Sequence, residues 1–320
     1  MSALEQVKDL KARMKDSIIG QEDVITKMLI GLLTDGNVLL EGLPGLAKTR
    51  AVRSLAHNLS CKLSRIQFTP DLLPSDVTGT EIYQPQAEEK FSFQKGPIFS
   101  NLVLADEINR APAKVQAALL EAMEERQVSI AGKTHKMEPL FMVLATENPI
   151  EQEGTYPLPE AQLDRFIMKV EITYPTYDDE IKIVRLVREE TADPAKVEKE
   201  TISQQAIFDA RKEIGKVQVK EAAEKYIADI ISATRYPDKF SQDLAKWISY
   251  GASPRASIAL DKCARVVAWL DGRDYVIPDD IRFVVHDVLR HRLILSYSAN
   301  ADGINANKTI DELLKNVAVA

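Results

Sequence analysis

The sequence is poor in the residues that build metal and redox chemistry. Its 320 residues contain two cysteines, four histidines and two tryptophans, and aromatic residues make up 6%. Cys61 and Cys263 lie far apart and match no metal-binding or redox spacing, so two buried, reduced thiols are expected. His57 and His135 are isolated, and His286 and His291 lie five apart on what reads as a charged helix. Ordinary core or surface placement accounts for all four. No apolar run approaches the roughly 18 residues of a membrane span, which argues against membrane insertion. The opening Met1-Ser2-Ala3-Leu4-Glu5-Gln6 lacks the charged and then apolar regions of a secretory signal, so a cytoplasmic protein is expected. Positive charge is also short. Lys and Arg number 41 against 48 Asp and Glu, a net charge of −7, which weighs against a protein that coats nucleic acid electrostatically. What remains, 45% hydrophobic and 28% charged residues, is the balance of a globular chain with one large or two ordinary domains.

Along the first 175 residues, short apolar strands alternate with amphipathic helices, the pattern of a parallel sheet covered on both faces. Strands are expected at residues 37–41, 63–68, 102–106, 141–146 and 167–172. Ala51, Val52, Leu55, Ala56 and Leu59 mark one helix, and Val115, Ala118, Leu119, Ala122 and Met123 another. Residues 81–99 and 127–139 read as two inserted hairpins, the second turning at Ala131-Gly132. After Tyr174-Pro175, helical periodicity takes over. Ile181/Val184/Val187, Tyr226/Ile227/Ile230/Ile231 and Ile258/Cys263/Val266/Leu270 are apolar stripes, and Pro278-Asp279-Asp280 opens a further helix. A doubly wound α/β core (1–175) followed by a smaller all-helical domain (176–320) is expected.

Gly42-Leu43-Pro44-Gly45-Leu46-Ala47-Lys48-Thr49 nearly spells the phosphate-binding loop G-x-x-x-x-G-K-[ST], with Ala47 in place of the last glycine. Gly42 and Gly45 remain where main chain must approach oxygen or take positive φ, and Ala47 stands at the helix threshold, where ordinary angles serve. Lys48 would reach the β- and γ-phosphates of ATP and the Thr49 hydroxyl would ligate Mg2+. Arg50 follows in the first helical turn. A glycine- and proline-bearing turn with a surface lysine would look similar. A second motif, Leu102-Val103-Leu104-Ala105-Asp106-Glu107, is an apolar strand ending in two acids: Asp106 suits the metal and Glu107 a polarised water. Both motifs in order, each on its own strand, assign the loop to nucleotide.

The segments GLPGLAKT, LVLADEINR, VLATENP and EAQLDRF, in that order, resemble the MoxR family of AAA+ ATPases over nearly the whole chain. That family commonly carries alanine before the loop lysine, in agreement with Ala47. By this resemblance Asn148 matches the polar sensor, with Thr146 the rival choice, and Arg165 matches the arginine finger given to a neighbour's nucleotide. Arg165 would otherwise be a surface arginine paired with Asp164. Arg255 matches the second sensor; Ser253 caps and Pro254 opens its helix, so an anion at that positive end would offset the arginine's placement. Ile18, Ile19, Gly20 and Gln21 resemble the segment that cups adenine. Arg110 is a second residue that could face a neighbour, and Gln67 could couple to Glu107.

The resemblance implies an ATP-hydrolysing homo-oligomer, a hexameric ring with ATP held between the two domains of one subunit, that remodels a protein client. It also implies partners carrying von Willebrand factor A domains. Two other readings are a ring-shaped nucleic-acid motor, using Lys133, His135 and Lys136 of the second hairpin, and a nucleotide-gated scaffold without turnover. The acidic total and the lack of an aromatic-basic stacking platform weigh against the motor, and Glu107 against the scaffold. No N-K-x-D guanine-reading motif is present, since Asn307-Lys308-Thr309-Ile310 lacks its acid.

Overall fold

The structure, a computed structural model, describes residues 1–43, 46, 48–86, 90–148, 155–192 and 201–318. Two helices come first, α1 (Ala3–Ser17) and α2 (Glu22–Leu33). Strand β1 (Val38–Gly42) leads to α3 (Lys48–Asn58) and β2 (Leu63–Gln67). A short helix α4 (Pro74–Thr78) introduces the hairpin β3 (Gly79–Tyr83) and β4 (Phe91–Lys95). Strand β5 (Leu102–Asp106), α5 (Ala113–Glu125), the hairpin β6 (Gln127–Ile130) and β7 (Lys133–Lys136), and β8 (Met142–Glu147) follow. Then come α6 (Glu160–Leu163) and β9 (Met168–Ile172).

Five strands form one parallel sheet in the order β2-β5-β8-β1-β9, within a residue of the expected bounds. The strands read as unbroken apolar runs because both faces are covered. Period-two alternation then splits them. Val38, Leu40, Leu102, Leu104, Met142 and Leu144 join one core, and Leu39, Val103, Ala105, Val143 and Ala145 the other. The second core packs under α5 and the two hairpins; the first continues through α1 and α2 into the carboxyl-terminal helices.

Those helices are α7 (Tyr177–Ala192), α8 (Gln204–Ile214), α9 (Glu221–Arg235), α10 (Gln242–Trp247), α11 (Pro254–Leu270), α12 (Pro278–Leu289), α13 (Tyr297–Ala301) and α14 (Ala306–Asn316). One exception to the all-helical expectation is a small antiparallel ladder of Ile248–Tyr250 with Ile294–Leu295. The histidine expectation is also corrected: α12 ends at Leu289, so His291 lies beyond the helix that holds His286 and is buried. The His135 ring stacks on Phe93 at 4.0 Å, joining the two hairpins. Cys263 is buried and Cys61 half-buried, and burial pushes both thiols up to about 12.

Candidate nucleotide site

The loop leaves the carboxyl end of β1, where Gly42 is squeezed against β9; a Cβ there would stand 3.0 Å from the Ile172 carbonyl oxygen. Pro44, Gly45 and Ala47 lie outside the described residues. Leu43 is half-buried and packs on the first core, and Leu46 is buried in it, which anchors the loop. Lys48 and Thr49 open α3. The Lys48 ammonium donates to the Gly42 carbonyl at 2.6 Å and the Glu147 carbonyl at 3.2 Å. Among the described residues it forms no ion pair, so main chain rather than a carboxylate holds it. Its pKa is lowered by burial, against the pull of Asp106, Glu107, Glu41 and Glu147, which favour the charged form. Arg50 turns elsewhere, donating to the Ser17 carbonyl at 2.6 Å and pairing with Glu190.

Parallel pairing brings the ends of β5 and β8 beside the loop. Asp106 is buried; its Oδ1 accepts from the Thr146 hydroxyl at 2.7 Å, and its Oδ2 from Arg65 Nη2 at 2.6 Å. Thr146, fully buried, also accepts from the Glu107 amide at 2.8 Å. One hydroxyl thereby fixes both acids. Between the two sensor choices, Thr146 is committed to this bracing, and half-buried Asn148 stands beyond the end of β8. Glu107 sits in the left-handed region (φ 56°, ψ 52°), rare for a residue with a side chain. Its carboxylate accepts from Arg110 at 2.8 Å and Gln67 at 3.3 Å. The expected Gln67 contact is therefore present, and Arg110 is exposed while pairing three residues back with Glu107.

On the other side of the loop helix, Ile18 is buried, Ile19 half-buried and Gly20 exposed at φ +75°. This apolar edge continues into Arg50 through its bond to Ser17.

The two remaining arginines are elsewhere. Arg165 Nε pairs with Glu124 Oε2 at 3.1 Å and its Nη1 donates to the Leu120 carbonyl at 2.9 Å. Arg255 pairs with the other oxygen of the same Glu124. They border a cavity of about 360 Å³ that also touches Gly36, Asn37 and Ile167, at the amino ends of β1 and β9. At ~3.3 Å per residue, β1 alone separates this place from the loop by roughly 13–16 Å. Arg255, expected as the second sensor on a nucleotide phosphate, therefore lies far from the loop of its own chain. Ser253 does cap α11, accepting from the Arg255 amide at 3.2 Å, and the anion facing Arg255 is Glu124. Arg165 is not paired with Asp164 either. Asp164 Oδ2 accepts from Ser253 at 2.7 Å and Oδ1 from buried Arg292 at 2.7 Å, pinning α11 to the chain beside Arg165.

Sequence reasoning missed Arg65, Glu124 and Glu147 as site neighbours, and it offered Asp164 as a partner of Arg165 rather than of Ser253 and Arg292. Arg65 had a signal, a charge on an apolar strand two residues before Gln67. Glu124 and Asp164 had none, because their partners are far away in the chain.

The donor set fits a magnesium nucleotide: an ammonium beside a helix start, a hydroxyl at Thr49 and a carboxylate at Asp106, all hard, oxygen-seeking chemistry. Among the described residues no cluster of three or more His, Cys, Asp or Glu forms a site for a structural metal. No helix among them is long and apolar enough to cross a membrane.

Residues 37–168 match the model of the ATPase family associated with various cellular activities (AAA), and residues 243–313 that of the AAA lid domain. A Mycobacterium tuberculosis protein named chaperone MoxR1 is 47% identical over 96% of this chain and 80% of its own length. The protein MoxR of Paracoccus denitrificans is 32% identical over 90% of this chain and 88% of its own. A crystal structure from Cytophaga hutchinsonii superposes with a TM-score of 0.91 at 45% identity, covering 99% of this chain and 96% of that one. With 47% and 32% identity to these two MoxR proteins over nine-tenths or more of its length, and with the AAA and AAA lid matches, this chain belongs to the MoxR family of AAA+ ATPases.

Proposed function

We propose that this chain is a Mg-dependent ATPase that assembles as a ring, hydrolyses ATP at subunit interfaces and remodels a protein client. The observation that carries the hydrolytic part is the braced pair at the end of β5. Thr146 holds the Asp106 carboxylate and the Glu107 amide at once, and Glu107 is kept in a left-handed conformation beside the loop lysine.

ATP lies with its phosphates over the start of α3, where unpaired helix amides and the Lys48 ammonium supply positive charge. Thr49 and Asp106 would hold Mg2+, which when bound would neutralise charge on the phosphates. Glu107 accepts a proton from the attacking water as the terminal phosphate leaves ADP. Asn148, a neutral amide, donates to the γ-phosphate or to that water. Gly20 and Ile19 border the base.

Arg165 and Arg255 lie at the wrong end of the sheet to touch the ATP of their own chain, so both are assigned to the nucleotide of the next subunit. There two guanidiniums spread charge over transition-state oxygens. A ring of identical chains satisfies this with every subunit both giving and receiving, and six is the expected number. The client and any partner with a von Willebrand factor A domain act on the body that such a ring moves. The name chaperone MoxR1 carried by a relative supports a protein client.

Isothermal titration of Lys48→Ala with ATP tests the loop: binding should vanish, and retained micromolar binding would refute the assignment.

A further inference from the structure

Strand β2 is an edge strand of the sheet, and it pairs with β5 so that Arg65 stands opposite Leu104 and Gln67 opposite Asp106. Side chains alternate along a strand, so Leu63, Arg65 and Gln67 share one face of β2. Leu63 packs on the same core as Leu102 and Leu104, which puts this face on the side of the sheet that carries Asp106. Arg65 and Gln67 are thereby delivered to the carboxylate assigned to Mg2+.

The guanidinium makes more than one ion pair there. Its Nε and Nη2 both donate to Asp106 Oδ2, at 3.1 and 2.6 Å. Nη2 also donates to Gln67 Oε1 at 2.9 Å, and Gln67 Nε2 donates to Glu107 Oε2 at 3.3 Å. A side-chain bridge thus runs from Asp106 through Arg65 and Gln67 to Glu107. It parallels the Thr146 brace, which holds Asp106 Oδ1 and the Glu107 amide but leaves the Glu107 carboxylate to other partners. Thr146 fixes where the two acids start, and the bridge, with Arg110 on the same Oε2, fixes where the Glu107 carboxylate points. Stability alone gives a weak reason for an arginine here. The Arg65 side chain is 46% exposed against 12% for Asp106, and a pair with one partner in water contributes little to folding.

We propose that Arg65 is a positioning residue with two separable effects: its charge weakens the hold of Asp106 on Mg2+, and its fork aims the Glu107 carboxylate through Gln67. This rests on the assignment of Asp106 to Mg2+ and of Glu107 to the attacking water. A guanidinium on the carboxylate that a divalent ion also needs opposes that ion by like-charge repulsion. One arginine can serve Asp106 and Gln67 together because its N–H groups diverge in a plane; the single ammonium of a lysine is a point charge.

The test compares the full wild-type chain with Arg65→Ala and Arg65→Lys. Anisotropy gives the affinity of a fluorescent ATP analogue in EDTA and in Mg2+, and the ratio of the two measures the coupling of nucleotide to metal without turnover. In Arg65→Ala this ratio should rise by about tenfold, since a unit charge is taken from beside a divalent one. Its single-turnover phosphate release should fall by about tenfold or more. Arg65→Lys keeps the charge but not the fork, so its ratio should stay within about threefold of wild type while phosphate release stays low. A merely structural arginine would lower the thermal midpoint and leave the ratio where it was. An unmoved ratio in Arg65→Ala, or wild-type phosphate release in Arg65→Lys, overturns the proposal. If wild-type binding ignores Mg2+, the metal assignment of Asp106 fails and this proposal fails with it. If wild-type binding needs Mg2+ and Arg65→Ala leaves the ratio unmoved, the role of Arg65 fails alone.

Discussion

At the carboxyl end of the sheet one lysine is set among Asp106, Glu107, Glu41 and Glu147; at the amino end one glutamate, Glu124, is set between Arg165 and Arg255. At the loop end Arg65, Arg110 and Lys169 pair with these carboxylates, and at the other end Glu124 answers two arginines at once. The loop end's arginines and second lysine are engaged by carboxylates, whereas phosphoryl transfer also draws on guanidiniums aimed at the leaving phosphate, the group that the other end offers. On the proposed assignment each subunit carries two halves of a site that a single copy cannot close. Stacking copies head to tail brings the ends together, and such contacts close into rings when the rotation allows.

The sharpest way to break this division of labour is at the loop end. Glu107→Gln should leave ATP binding intact and lower turnover by about 10³ or more, because an amide cannot take the water's proton. Single-turnover phosphate release measures it. A loss below tenfold would move the base elsewhere and leave the strained conformation of Glu107 without a purpose.

Mixing separates the two ends next. Arg165→Ala and Lys48→Ala chains should each be inactive alone, and together recover part of the wild-type rate, because a mixed ring contains interfaces with an intact loop and an intact finger. Arg255→Ala mixed with Lys48→Ala should behave alike if both arginines serve the neighbour. Recovery with Arg165→Ala but not with Arg255→Ala would return Arg255 to its own subunit, through a lid movement of more than ~10 Å along β1.

How far the site was legible follows the same division. The carboxyl end was readable because its chemistry is local: Gly42 to Thr49 is one stretch, Asp106 and Glu107 are adjacent, and strands with covered faces announce themselves as apolar runs. The same locality put all five strands within a residue of their observed positions. The amino end was not readable, because Glu124, Asp164 and Arg292 gain their meaning from contacts across the fold. The Ser253-Pro254-Arg255 signature correctly gave a capped helix start, yet a cap does not say which anion the helix faces. Period 3.6 gave α7 from Ile181, Val184 and Val187, although periodicity alone cannot tell a stripe that meets its own core from one left bare.

A smaller effect is expected at the joint that holds the arginine pair. Asp164 takes bonds from Ser253 and Arg292, and the Arg292 guanidinium is almost fully buried. Asp164→Asn removes the negative charge while keeping one acceptor, and should destabilise the chain by about 2 kcal/mol in urea unfolding. Backbone carbonyls of Phe166 and Ile167 still accept from Arg292, which limits the loss. If the joint positions the arginines, turnover in this variant should fall further than Lys48-dependent binding does. Equal losses in both would mark Asp164 as structural only.

The smallest expected effect lies at Glu147, whose carbonyl holds Lys48 while its carboxyl faces Lys169 at 3.5 Å. Burial raises this carboxyl above its ordinary 4.5, with Glu41 adding to the rise and Lys169 opposing it. A carboxyl whose pKa is higher in the folded state binds its proton more tightly there than in the unfolded chain. Stability is therefore greatest below pH 4.5 as far as this group is concerned, and declines as pH climbs from 4.5 to the raised value. Glu147→Gln removes the titration, so the difference in unfolding free energy between wild type and variant should change across that window and be flat above it. ATP affinity should stay within about threefold, because the carbonyl that receives Lys48 belongs to the main chain and survives the substitution. A large loss of affinity would mean that the carboxylate, and not the peptide, sets the position of the lysine.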